Sequence, residues 1–268
     1  MTPSYHRPAS VNEALQLKAK LGPGTVFLAG GTEVNNLHAP RPAALIDLSG
    51  LGLNKIEATP AGLRIGAGVT FQQLIEYPDV PAFIKKAAGH MANRNIRNCA
   101  TVGGQLGANK TCANLIPALM AAEARVVLTD REVPVDQFVA GETSLVLAVI
   151  VPTGNRAIGL DHHTRTASDI SIITAAASMT VEAGKVRQPV LAVGGVASHV
   201  VRLHSVEKSL DGQALPEAEK LEAMIAAAVQ PIDDLRGSAA FKRQLAAVLG
   251  ARVLNAAATG TCSCKGVR

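Results

Sequence analysis

The chain contains no tryptophan and only five Phe and two Tyr among its 268 residues. Proteins that grip single-stranded nucleic acid stack bases on aromatic platforms, and this sequence supplies few. Its net charge of +5 arises from 26 Lys and Arg against 21 Asp and Glu. These charges are dispersed rather than gathered in a stripe, so no nucleic-acid partner is implied. Long hydrophobic runs are also missing. The longest uncharged apolar stretch, Ser144 to Pro152, is far shorter than the roughly 18–20 residues of a membrane span. Met1 to Pro8 lacks the apolar segment of a signal peptide, so the expectation is a cytoplasmic protein with no membrane association. The four cysteines, Cys99, Cys112, Cys262 and Cys264, include no Cys-x-x-Cys pair. They make neither a disulfide framework nor a metal site, since Cys262-Ser-Cys264 alone presents too few ligands.

Two familiar phosphate motifs are absent as well. Gly22-Pro-Gly24, Gly50-Leu-Gly52 and Gly66-Ala-Gly68 each open a G-x-G pattern, but the sixth position holds Phe27, Lys55 or Phe71 instead of glycine. The close helix packing of a dinucleotide fold then fails. Gly104-Gln-Leu-Gly107-Ala-Asn-Lys110-Thr111 approaches a P-loop, yet Asn109 stands where glycine must precede the lysine. No nucleophile–base pair and no metal-ligand cluster declares itself, and His90, His162 and His163 are scattered. The chain therefore contributes no catalytic residue and no metal site of its own, which points to chemistry carried by an organic cofactor.

What is present is ample apolar content, 48%, patterned as short strands and helices in no strict alternation. Such a pattern argues for an α+β fold over a doubly wound sheet. Ser10-Val-Asn-Glu13 and Thr70-Phe-Gln-Gln73 are capping boxes that open helices. Further helices are expected over Ala82 to Asn93, Leu115 to Ala124, Pro216 to Val229, and from Ser238 onward. Strands are expected at Thr25 to Leu28, Ala44 to Asp47, Arg125 to Thr129 and Leu145 to Val151. Lys55 to Thr59 with Leu63 to Gly66 reads as a hairpin, as does Ile172 to Val181 with Val186 to Val193. The turn cluster Pro152 to Arg156 marks a domain boundary, giving residues 1–155 and 156–268.

Two segments look built to present bare backbone. Leu28-Ala29-Gly30-Gly31-Thr32-Glu33 follows a strand directly. Asn95 to Gln105 reads as a loop in which Thr101, Gly103 and Gly104 could turn a hydroxyl and successive amides toward an anion. One diglycine is an ordinary turn. Two in one chain suggest a single anion held between them, and a pyrophosphate gripped by four or five such bonds would need no arginine clamp. Arg94 and Arg97 stand near enough in sequence to add charge.

Taken in order, Leu28 to Glu33 with Ile96-Arg-Asn-Cys-Ala-Thr-Val-Gly-Gly104 resembles the paired FAD motifs of the flavoprotein subunit of xanthine-dehydrogenase-type molybdenum hydroxylases. Tyr5 to Ser10, Leu63 to Ala67, Gly194 to Ala197 and Asp234 to Arg243 extend the resemblance over nearly the whole chain. It implies a two-part FAD-binding domain of the PCMH type, followed by a smaller C-terminal α/β domain with an antiparallel sheet and packed helices. It also implies pyrophosphate contacts at Val26, Phe27, Leu28, Ala29, Gly30, Gly31, Thr32 and Glu33, and at Thr101, Val102, Gly103, Gly104 and Gln105. Further flavin contacts would fall at Asn114, Val146 and Asp161. Electrons would arrive from a molybdopterin subunit through [2Fe–2S] clusters on an iron–sulfur subunit, reduce FAD here and pass to NAD⁺ or another acceptor. The resemblance points toward purine-type hydroxylases, while the site that chooses the substrate would lie on another polypeptide.

Three positions depart from the family pattern: Gln105 where Asn is usual, Asn114 where Asp is usual, and Asp161 where Lys is common. An anion at 161 would lower the flavin potential unless His162 or His163 compensates. Two alternatives use the same cradle: a stand-alone FAD-dependent oxidoreductase, and a non-catalytic nucleotide-binding or assembly module.

Overall fold

The computed structural model describes residues 3–35, 41–154 and 156–260. Cys262 and Cys264, and Asn155 of the expected boundary, lie outside the described residues. The chain begins with β1 (Ser4–His6), α1 (Val11–Leu21), β2 (Thr25–Leu28) and β3 (Ala44–Asp47). Ser10 caps α1 by accepting from the Glu13 amide at 3.2 Å. The three strands form a small parallel sheet in the order β1-β3-β2.

Next come the hairpin β4 (Ile56–Thr59) and β5 (Gly62–Gly66), then α2 (Phe71–Glu76), whose Thr70–Gln73 capping box forms as read from the sequence. The helix expected over Ala82 to Asn93 is shorter. It ends as α3 (Ala82–Gly89), and Asn93 instead caps a further turn, α4 (Arg94–Arg97), by accepting from the Ile96 amide. The apparent loop from Asn95 to Gln105 is thus helical at both ends, because α5 (Val102–Ala108) starts inside it. After α6 (Leu115–Ala121) follow β6 (Arg125–Val127), β7 (Glu132–Pro134), α7 (Val135–Val139) and β8 (Ala148–Val151). The strands β4-β5-β8-β6-β7 make an antiparallel sheet in that order. Phe71, Ile65 and Leu119 lie in the core between this sheet and its helices.

The second domain is a four-stranded antiparallel sheet, in which β9 (Ala157–His163), β10 (Ile173–Glu182), β11 (Lys185–Gly194) and β12 (Val201–Arg202) pair in sequence. Helices α8 (His204–Leu210), α9 (Ala218–Ala228) and α10 (Ala239–Thr259) complete it. Strand alternation explains why β10 is apolar along most of its length. Ile173, Ala175, Ala177 and Met179 share a core with α9 and α10, while Ala176 joins the core of the first domain on the opposite face. Polar members of that opposite face are satisfied by the α6 segment. Ser178 donates its hydroxyl to the Ala121 carbonyl at 2.6 Å, and Thr174 donates to Ala113 O at 3.3 Å. Every residue of α6 is buried, as a helix lying between two sheets must be.

Candidate functional site

The first diglycine segment leaves the carboxyl edge of the parallel sheet. The β2–β3 ladder ends at Leu28 and Asp47, and the last carbonyl, Leu28 O, is taken by the Leu48 amide at 2.8 Å. Beyond it the chain turns out of the sheet, at the edge where open parallel sheets place ligands. A Cβ on Gly30 would overlap the carbonyl of Cys99, so this backbone rests directly on the second segment. Gly31 adopts φ +72°, the left-handed region that favours glycine. Ala29, Gly30, Gly31, Thr32 and Glu33 donate their amides to no protein acceptor among the described residues. A run of unpaired amides is a standing anion site.

The second segment is organised differently. It lies along the chain joining β5 to α2: the Phe71 amide donates to Ala100 O at 2.9 Å, Val102 to Val69 O at 3.0 Å, and Gly103 to Ala67 O at 2.8 Å. Thr101 caps α5, its hydroxyl accepting from the Gly104 amide at 3.0 Å, and the Gln105 amide donates to Thr101 O. The expectation that the amides of Gly103 and Gly104 face an anion is therefore not met, because both are engaged inside the fold. Glycine is needed at 103 for a steric reason, since a Cβ there would stand 2.6 Å from Ala67 Cβ.

The two segments nevertheless meet, as the pairing argument required. Gly30 packs on Cys99 just before Thr101, and Glu33 forms an ion pair with Lys110 at 2.7 Å just past the other end of α5. The first segment thus spans the helix. Arg94 and Arg97 take no part. Arg94 pairs with Glu76 at 2.7 Å, and Arg97 donates to the Gln72 amide oxygen and to the carbonyls of Met91 and Ala92.

The remaining expected contacts lie toward the seam between the domains. Gln105 accepts the Leu115 amide at 2.9 Å and so starts α6. Buried Asn114 donates its Nδ2 to His90 O at 3.1 Å, while its Oδ1 accepts from the Ser171 hydroxyl at 2.8 Å, joining both domains through one amide. Val146 is a buried core residue. Asp161 sits on β9, bonded to the His162 amide and 4.0 Å from Arg252.

His90 and His162, scattered in sequence, come together as stacked rings 3.5 Å apart and inclined by 22°. Burial, the neighbouring imidazole and Lys86 push His90 down to about 3; burial also lowers His162, so both rings are neutral. Half-buried Lys86 donates to Leu160 O at 2.8 Å, and its charge acts on Asp161 and on both histidines. A cation therefore does stand beside position 161, contributed by α3, and no sequence signal announced it. Among the described residues, no cluster of His, Cys, Asp or Glu could hold a metal.

The bare amides of the first segment, packed on the second, fit the phosphates of a bound dinucleotide. Residues 1–154 match the family described as the FAD binding domain in molybdopterin dehydrogenase, and residues 160–257 match the CO dehydrogenase flavoprotein C-terminal domain. The chain belongs to this family of molybdopterin-dehydrogenase flavoproteins.

Among its relatives is YgfM of Escherichia coli (strain K12), named only as uncharacterised, 33% identical over 253 residues, covering 93% of this chain and 94% of that one. The carbon monoxide dehydrogenase medium chain of Hydrogenophaga pseudoflava is 31% identical, with 94% of this chain and 96% of that one covered. A solved structure of carbon monoxide dehydrogenase from the same organism superposes with a TM-score of 0.89 at 29% identity, over 98% of this chain and 99% of that one. The xanthine dehydrogenase FAD-binding subunit of Escherichia coli O157:H7 is 30% identical, with 95% of each chain covered.

Proposed function

We propose that this chain is the FAD-binding electron-transfer subunit of a multi-subunit molybdenum hydroxylase. In this reading an iron–sulfur partner and a molybdopterin partner hold the other centres, and NAD⁺ is the final acceptor. FAD, when bound, supplies the exchange between two-electron and one-electron transfer. The observation that carries the reading is the run of amides from Ala29 to Glu33 with no acceptor among the described residues, laid against Cys99 and Ala100 at the edge of a parallel sheet.

The chain's own residues would hold the cofactor from three directions. The first diglycine loop binds the pyrophosphate by its amides. Thr101 to Gln105, fixed by their own hydrogen bonds within the fold, line the facing side. Asn114, Val146 and Asp161, with Lys86 as the nearby cation, face the ring system. Relatives at comparable identity are named for carbon monoxide and for xanthine, so this chain does not select the hydroxylated substrate. We place the protein in the cytoplasm; no described helix is long and apolar enough to cross a membrane.

Purification of the intact complex tests this function. The expected sample is yellow-brown, releases FAD on denaturation, contains iron and molybdenum, and reduces NAD⁺ with xanthine, hypoxanthine or carbon monoxide. A colourless chain that takes up no FAD would show the reading to be wrong. FAD without metal-bearing partners would leave a stand-alone flavoprotein.

A further inference from the structure

A third diglycine, Gly194-Gly195, ends β11 and brings the two domains together. Gly195 holds φ +91°, and a Cβ on Gly194 would stand 2.5 Å from the carbonyl oxygen of Thr111 in the first domain. With no side chain in the way, the Gly195 amide reaches across the seam and donates to the Thr111 hydroxyl at 3.0 Å.

The segment it reaches is the turn from Lys110 to Ala113, closed by the Ala113 amide donating to Lys110 O at 3.1 Å. Before the turn, Asn109 adopts φ 44° and donates its side chain to Val139 O at 2.7 Å, which anchors that end in the first domain. From there onward the second domain takes over. Besides Gly195 on Thr111, the Thr174 hydroxyl donates to Ala113 O at 3.3 Å and the Ser171 hydroxyl to Asn114 Oδ1 at 2.8 Å.

Lys110, at the head of this turn, carries the ion pair to Glu33 at 2.7 Å, at the far end of the amide run. Its side chain is 53% exposed and that of Glu33 42%, and an exposed pair between two mobile partners is worth little. A cation that springs from a fixed backbone does more, because it limits where its partner can lie. The near end of the amide run is set by the parallel sheet at Leu28 and by Gly30 resting on Cys99. The loop is therefore tied to the first domain at one end and, through Lys110, to the second domain at the other. A loop already held in its binding shape loses less entropy when the ligand arrives.

We propose, on the FAD site inferred above, that the second domain shapes the pyrophosphate loop through the turn from Lys110 to Asn114, with Thr111 and Lys110 as positioning residues that act through Glu33. The test tags the full chain in its native host, purifies it with the chains that accompany it, and follows FAD release after dilution by the rise in free-flavin fluorescence.

Wild type is expected to hold FAD. Thr111→Val keeps the shape and removes the hydroxyl, and should speed release about threefold to fivefold, the scale of an exposed ion pair. Thr111→Ser, which keeps the hydroxyl, should release at the wild-type rate. Lys110→Met should match Thr111→Val, and the double variant should be no faster than either alone, because both cut one connection. Ser178→Ala removes a hydroxyl that also bonds across the seam, to Ala121 O at the other end of α6. It should lower the melting temperature as Thr111→Val does and leave release unchanged. Wild-type release in Thr111→Val overturns the positioning role, as do multiplied effects in the double variant or equally fast release in Ser178→Ala. Lys110→Met alters an exposed side chain and folds regardless, so wild-type release there overturns it too. A wild type that carries no FAD sinks the functional reading and the positioning role with it.

Discussion

The two diglycine segments look alike in sequence and do opposite things. Gly30-Gly31 leaves its amides without an acceptor among the described residues and uses the missing Cβ of Gly30 to lie on Cys99. Gly103-Gly104 engages its amides within the fold and uses the missing Cβ to fit against Ala67. One pair leaves bare backbone for the proposed ligand, the other serves the scaffold. Diglycine therefore reports close approach of backbone, and only the hydrogen-bond partners tell what approaches.

The largest expected effect separates these roles. Gly30→Ala forces the first loop off Cys99 and should weaken FAD binding about 100-fold, equivalent to about 2.7 kcal/mol, measured by fluorescence titration. The melting temperature of the FAD-free chain should barely move, because the displaced loop is exposed. Gly103→Ala should do the reverse, destabilising the fold by about 1–3 kcal/mol through overpacking, seen in denaturant unfolding. If the two variants exchange phenotypes, the distinction fails.

Acid probes the seam rather than either loop. His90 is held neutral far below its ordinary value of 6.5, so the unfolded chain takes up that proton first. The pair's contribution to stability is complete above about pH 6.5 and declines as the pH falls toward about 3. His90→Phe, which keeps a ring on His162 without titrating, should flatten the melting profile across that window. Thr101→Ala removes the α5 cap and should cost about 1 kcal/mol, a fall in melting temperature of about 2–4 °C. The smallest effect belongs to Gly107→Ala, where a Cβ meets nothing within 4 Å inside the same helix. It should gain up to about 1 kcal/mol with FAD affinity unchanged.

Much of the fold was legible because its punctuation is local. Ser10, Thr70 and Ser238 cap helices where their hydroxyls said they would, and the turn at Ala183-Gly184 has the positive φ values that a tight hairpin needs. Helix α5 was not legible. Two glycines in its first turn depress helix propensity, and what holds it is the Thr101 cap and contact with Ala67, the latter a tertiary effect. Strand β9 was missed because its sequence is half polar and its register is set by β10. The site was half legible. The bare backbone of the first loop could be read because it is carried by consecutive residues. The histidine stack and the Lys86–Asp161 neighbourhood could not, because their members are brought together only when α3 packs on β9.

Position 114 shows what a single-atom exchange can achieve. A carboxylate there could only accept, and it would face the lone pairs of the His90 carbonyl. The amide of Asn114 gives a proton to one domain and takes one from the other, so the joint is electrically neutral and indifferent to ionic strength. Exchanging it for the acid would turn one of its two bonds into a repulsion, so residues 90, 114 and 171 must be inherited, or redesigned, as a set.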